Sequence, residues 1–153
     1  FFVFKKENIP YLILFLLIFL QIVFGAFVSG LDAGKIYQSW PLMNYSYFPD
    51  DIIIKNISDL LNFDSHSLVQ FYHRNIAYFI SIYIICLAYI IFKGDKKNLF
   101  KPIIYLVFIL FFQICLGILT LLSDLNIIVA SFHQITSVIL ILTSLNLYYS
   151  SIK

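Results

Sequence analysis

The chain has 153 residues, of which 61% are hydrophobic, 19% aromatic and only 12% charged, for a formal net charge of +2. Soluble domains carry about 25% charged residues, so this composition excludes a soluble enzyme, a nucleic-acid-binding domain and a disordered tail. Cys86 and Cys115 both lie in apolar runs, which excludes a disulfide scaffold and a four-cysteine metal site and makes them small buried hydrophobes. With Phe1 as its first residue and no cleavable signal peptide, the chain is expected to be part of a longer membrane protein, a single four-helix transmembrane domain over residues 1–153.

Crossing about 30 Å of hydrocarbon takes roughly 20 helical residues, and four stretches reach that length. The first, 11–30, begins beside Pro10, a residue suited to a first helical turn. Residues 31–67 follow as a loop. Within it Ile53, Ile57, Leu60 and Leu61 recur at helical spacing, which predicts a short interfacial helix over 51–63. Trp40, Tyr37, Tyr45 and Tyr47 suit the headgroup level. The second span, 68–92, is preceded by the candidate caps Asp64, Ser65 and Ser67; the third, 102–122, begins at Pro102; and the fourth, 127–149, follows Asp124 and Asn126. Segments this apolar must satisfy their backbone groups internally, so they are helices.

Lysines orient the bundle. Lys5, Lys6, Lys93, Lys96, Lys97, Lys101 and Lys153 fall on one side, and Lys35 and Lys55 on the other among Asp32, Asp50, Asp51, Asp59, Asp64 and Asp124. The positive-inside rule therefore puts both termini on the cytoplasmic or matrix side and the 31–67 loop outside.

The four spans also contain an approximate repeat. Gln21-Ile-Val-Phe-Gly25 in the first is echoed by Gln113-Ile-Cys-Leu-Gly117 in the third, and Phe71-Tyr-His73-Arg74 in the second by Phe132-His133-Gln134 in the fourth. The pairs relate as parallel repeats. Gly25, His73, Gly117 and His133 each lie five or six residues from the outer end of their span, a depth of about 8 Å at 1.5 Å per residue. Two imidazoles and two positions without side chains thus share one level.

Ionisable groups inside a membrane span point to function, against the plainer alternative of a neutral histidine bonded to a neighbouring helix. A closed zinc site needs about four ligands, and no Cys, Asp or Glu lies at this depth to complete one. A heme needs only two axial ligands. Its ring would use the room beside Gly25 and Gly117, with His73 and His133 as neutral ligands to the iron. With both axial positions filled, such a heme transfers electrons and does no oxygen chemistry. Arg74, the only arginine, either meets a heme propionate or snorkels to headgroups. Gln70, one turn before His73, faces the same cavity, Gln21 and Gln113 bond between helices, and His66 is a surface residue of the loop.

The runs Gly25-Ala-Phe-Val-Ser-Gly-Leu-Asp-Ala-Gly34, Ser39-Trp-Pro-Leu-Met43, Gln70-Phe-Tyr-His-Arg74, Gln113-Ile-Cys-Leu-Gly117 and Ser131-Phe-His-Gln134 resemble, in order and spacing, the C-terminal half of the heme A synthase family. The resemblance implies an all-α transmembrane four-helix bundle forming one half of an eight-helix, pseudo-symmetric membrane enzyme. That enzyme oxidises a methyl group of heme O to the formyl group of heme A for cytochrome oxidase assembly. It further implies a heme b held by His73 and His133, with Arg74 and Gln70 nearby. Where the family's other half carries a glutamate, this chain has Gln70, an amide that cannot serve as a carboxylate base, so the segment alone is expected to be non-catalytic. Implied partners are the bilayer, heme O and heme A, heme O synthase and terminal oxidase subunits, with an oligomer open and no nucleic acid. The implied location is a bacterial plasma membrane or the mitochondrial inner membrane. Two other readings use the same residues: a free-standing bis-histidine b-type cytochrome, and a cofactor-free helical assembly factor in which the histidines serve packing.

Overall fold

Four long α-helices account for most of the computed structural model, which describes residues 5–153; the first four residues of the expected domain lie outside the described residues. They are α1 (Ile9–Gly30), α2 (His66–Lys93), α3 (Lys97–Leu122) and α4 (Ile127–Ile152), each long and apolar enough to cross a membrane. No strand occurs among the described residues. The chain is an integral, all-helical membrane protein with the four-helix organisation that its composition and span lengths predict.

Every helix begins earlier or runs later than hydropathy alone suggests. α3 opens at Lys97, so Pro102 sits inside it and not in its first turn; a polar turn is added ahead of the apolar run because the backbone propagates once nucleated. Pro10 does occupy the first turn of α1. Ahead of α4, the Asn126 side chain accepts from the backbone N–H of Ile128 and Val129 at 3.0 and 3.4 Å, a working N-cap. Ser65 occupies the N-cap position of α2 without a side-chain cap bond, and His66, expected in the loop, is the exposed first residue of that helix.

The helices alternate in direction and pack in a ring, α1 against α2 and α4, and α3 against α4 and α2. Their fully buried apolar contacts are concentrated toward the lysine-rich end. Tyr11, Leu14 and Ile18 of α1 meet Ile80, Ile84, Leu87 and Ile91 of α2, Leu99, Ile103, Leu106 and Leu110 of α3, and Leu140, Leu147 and Tyr148 of α4. That core ends where Gln21, Gly25, Gln113 and Gly117 begin. At this level the residues of α1 and α3 around Gly25 and Gly117 are only half-buried, while the start of α2 is buried beneath the long loop. Phe19, Phe79, Ile82, Tyr105, Phe108, Phe111 and other large apolar side chains cover the outer faces, where lipid is their natural solvent. Cys86 belongs to that exposed face and Cys115 is half-buried, so neither is the buried hydrophobe that the apolar runs suggest.

The expected helix over 51–63 does not form. The structure has only a 3-10 turn at Ile57–Leu61, started by a capping box between Asn56 and Asp59. Asp59 also accepts from the N–H of Lys55 and Asn56, at 2.8 and 2.9 Å. Ile53 and Ile57 are 77% and 82% exposed, so the apolar periodicity has no protein surface to bury against and cannot hold a helix together. Two anchors fix the segment instead. Tyr72 of α2 donates to the Leu60 carbonyl at 2.6 Å, and the Phe63 ring stacks on Phe27 near the end of α1, 6.4 Å between centroids.

Candidate functional site

The Tyr37 carbonyl is the first of several points that tie the long loop to the start of α2. Gln70 and Arg74, one turn apart on the inward face of α2, both donate to the Tyr37 carbonyl, at 2.9 and 2.8 Å. Arg74 also donates to the Leu42 carbonyl at 3.3 Å. Gln70 and Arg74 are 2% and 8% exposed. The arginine therefore does not snorkel to headgroups: it turns inward because two loop carbonyls and a buried pocket accept its charge. Its Nε and the Gln70 Oε1 are buried without a hydrogen-bond partner.

Beside this node, the Asp51 carboxylate accepts from the Tyr37 hydroxyl at 2.7 Å and from the buried Ser67 hydroxyl at 2.6 Å. Burial alone would raise the Asp51 pKa, but the Ser67 and Tyr37 hydroxyls more than offset it and hold the carboxyl below its ordinary value. Burial, followed by the bond to Asp51, pushes the Tyr37 phenol up. Farther along, Gln38 donates to Asp124 at 2.7 Å, and Gly34 packs so closely on Leu125 that a Cβ would lie 3.0 Å from that side chain. The loop thus runs from α2 to the α3–α4 turn, across the half-buried end of the bundle. Neither the Tyr37 node nor the Asp51 bridge had a signal in the sequence, since each joins residues 14 to 37 positions apart.

Beneath the loop lie the two histidines. His73 is the eighth residue of α2 and His133 the seventh of α4, so the two sit at one depth on helices that are not neighbours in the ring. Each is met by the helix beside it. On α1, the Gln21 amide donates to the His73 carbonyl at 2.9 Å and lies 3.1 Å from Nδ1 of the ring. One turn later, a Cβ on Gly25 would stand 3.2 Å from His73 Cε1. On α3, the Gln113 amide nitrogen lies 3.4 Å from His133 Nε2, and a Cβ on Gly117 would stand 2.9 Å from His133 Cε1. The glycines were expected to leave room for a macrocycle; the imidazoles themselves occupy that room, because a ring on the facing helix fits only where a Cβ is missing. Gln21 does bond between helices, and its partner is the candidate ligand itself.

His133 Nδ1, Gln21 Oε1 and Gln113 Oε1 are buried without partners. An unpartnered buried polar atom is costly, on the order of 1–3 kcal/mol, so three around two imidazoles mark a place with unused coordinating and hydrogen-bonding capacity. No group of three or more His, Cys, Asp or Glu side chains able to hold a metal ion occurs among the described residues. A metal carried in a macrocycle, which asks the protein for two nitrogens, fits this donor set.

Known proteins are similar to this chain over most of its length. Residues 6–145 match a family described as cytochrome oxidase assembly protein, COX15-CtaA. The chain is 44% identical over 137 residues to a protein of Pelagibacter ubique named heme A synthase, covering 90% of this chain and 40% of that protein. It is 39% identical over 124 residues to a heme A synthase of Rickettsia africae, covering 81% and 36%. A heme A synthase of Wolbachia pipientis is 38% identical over 133 residues, covering 87% and 36%. The chain therefore spans about two fifths of the length of the relatives it matches.

Proposed function

The chain belongs to the COX15-CtaA family of cytochrome oxidase assembly proteins, and from that premise we propose that it is the C-terminal, heme b-binding half of a heme A synthase. His73 and His133 are the axial ligands. The observation that carries the reading is the pairing of these imidazoles at one depth, where the apolar core has ended and buried polar atoms stand unpartnered. A packing role for the histidines alone would leave those atoms without a purpose.

When held by His73 and His133, the heme would supply one-electron redox chemistry. The chain's own residues do the rest. His73 and His133 bind as neutral imidazoles, Gly25 and Gly117 admit their rings, and the long loop limits water at the open end. Arg74 has an unpartnered Nε that suits a propionate. Gln70 spends its amide N–H on the Tyr37 carbonyl, a donation no carboxylate could make, which supports a structural and not a proton-transferring role here. In the full-length protein the reaction is the oxidation of the heme O methyl group to the formyl of heme A, carried out in the other half, with this half moving electrons. Heme O synthase and terminal oxidase subunits are the partners this chemistry requires before and after it. The membrane is the bacterial plasma membrane, since the relatives named come from bacteria, with the lysine-rich end inside and the long loop outside.

The test is spectroscopic. The full-length protein, purified in detergent, is expected to carry a six-coordinate low-spin heme b that is lost in His73→Ala and in His133→Ala. A wild type without heme b, or one whose spectrum is indifferent to both substitutions, overturns the proposal.

A further inference from the structure

Gln21 and Gln113 stand out among the residues near the histidines because each is the only side-chain hydrogen-bond partner its imidazole has among the described residues. They occupy equivalent places. Each lies one turn before the glycine against which the ring rests, so carboxamide and gap fall on the same face of one helix. An amide carries both a donor and an acceptor. A ring nitrogen turned away from a metal carries the proton, so toward it only the amide oxygen can act, as acceptor. In the structure the amide nitrogen is the atom beside each ring, and each Oε1 is buried with no partner, so turning the amide end for end presents the acceptor that a metal-bound ring requires.

Resting on the function proposed above, we propose that Gln21 and Gln113 are positioning residues: each holds the metal-remote nitrogen of its histidine, fixing ring rotation and tautomer and tuning the electron affinity of the iron. A ligating histidine whose other N–H is bonded to an acceptor is a stronger base and favours the oxidised metal. The two sides are unequal. The Gln21 amide is anchored at 2.9 Å on the His73 carbonyl while it lies 3.1 Å from the ring, whereas Gln113 makes one looser contact of 3.4 Å and leaves His133 Nδ1 unpartnered.

The experiment measures the midpoint potential and the ferric electron paramagnetic resonance spectrum of the heme-loaded full-length protein, for wild type and for Gln21→Glu, Gln21→Leu, Gln113→Glu and Gln113→Leu. A carboxylate in place of the amide strengthens the acceptor, and a tenfold gain in preference for ferric over ferrous heme lowers the potential by about 59 mV. Leucine removes the bond and raises the potential. The Gln21 substitutions are expected to disturb the resonance positions more, because Gln21 makes the shorter contact with its ring. If the leucine variants do not fold, the near-isosteric glutamate variants decide the matter. Loaded glutamate variants with unchanged or raised potential overturn the inference. A heme that depends on His73 and His133 yet ignores all the glutamine substitutions refutes only this role. A wild type with no heme refutes the function beneath it.

Discussion

Replacing Gly117 by alanine sets a gain in helix propensity against a steric clash, and the structure says which wins. In a helix interior alanine is favoured over glycine by about 1 kcal/mol. At Gly117, however, the new Cβ would come within 2.9 Å of His133 Cε1, with Nδ1 and Nε2 at 3.5 and 3.6 Å. The neighbour is a ring close to its own backbone, so relief requires a rotated imidazole or a shift of α4 against α3, and such overpacking costs about 1–3 kcal/mol. At Gly25 the closest approach to His73 is 3.2 Å, which a few tenths of an ångström would relieve. At Gly30 nothing lies within 4 Å, so only the propensity gain remains. The expected order of thermal stability in detergent is Gly30→Ala above Gly25→Ala above Gly117→Ala, with about 1–3 kcal/mol between the first and last. Heme content is expected to fall in the same order. A Gly117→Ala protein as stable and as fully loaded as Gly30→Ala would refute the claim that the glycine exists to admit the imidazole.

Three other expectations concern the loop and the caps. Because the Asp51 pKa is lowered from 3.8 in the folded protein and the Tyr37 pKa raised from 10.0, their bond stabilises the loop fully between those reference values. It is lost as pH falls through the depressed Asp51 value or rises through the elevated Tyr37 value. Digestion of the loop by a pH-tolerant protease should accelerate at both extremes, and Asp51→Asn should flatten the acid side. Arg74→Lys replaces a fork bonded to two carbonyls, those of Tyr37 and Leu42, with a single ammonium that cannot match it; amide exchange around Leu42 should rise, while Gln70 keeps the Tyr37 carbonyl bonded. Asn126→Ala removes the acceptor for the N–H of Ile128 and Val129 and should lower stability by about 1 kcal/mol with no change in α1 or α2 exchange.

The four spans and the two histidines could be read directly from the residues because membrane burial imposes a long apolar run and makes an imidazole within it conspicuous. What escaped was set by contacts between distant segments. The Tyr37 carbonyl draws both Gln70 and Arg74, yet nothing in a tyrosine's side chain advertises its backbone oxygen, so Arg74 could not be aimed from sequence. Ile53, Ile57, Leu60 and Leu61 have helical spacing, but spacing says nothing of whether a surface lies opposite, and here none does. Cys86 sits in a helix apolar all round, where the pattern cannot separate the lipid side from the interior. Gln21 and Gly25 were visible as a repeat with Gln113 and Gly117; that they form the two halves of one grip needed the facing ring to be placed.

The apolar core that stops at Ile18, Ile80, Leu110 and Leu140 gives the domain an order of assembly. The end near the lysines can zip up on its own, from side chains already present in the chain as it leaves the ribosome. The other end closes on the long loop, where Tyr37, Met43, Leu68 and Val69 are buried. On the proposed function, membrane insertion and heme loading would be separable events, because the base of the bundle closes on side chains of this chain alone.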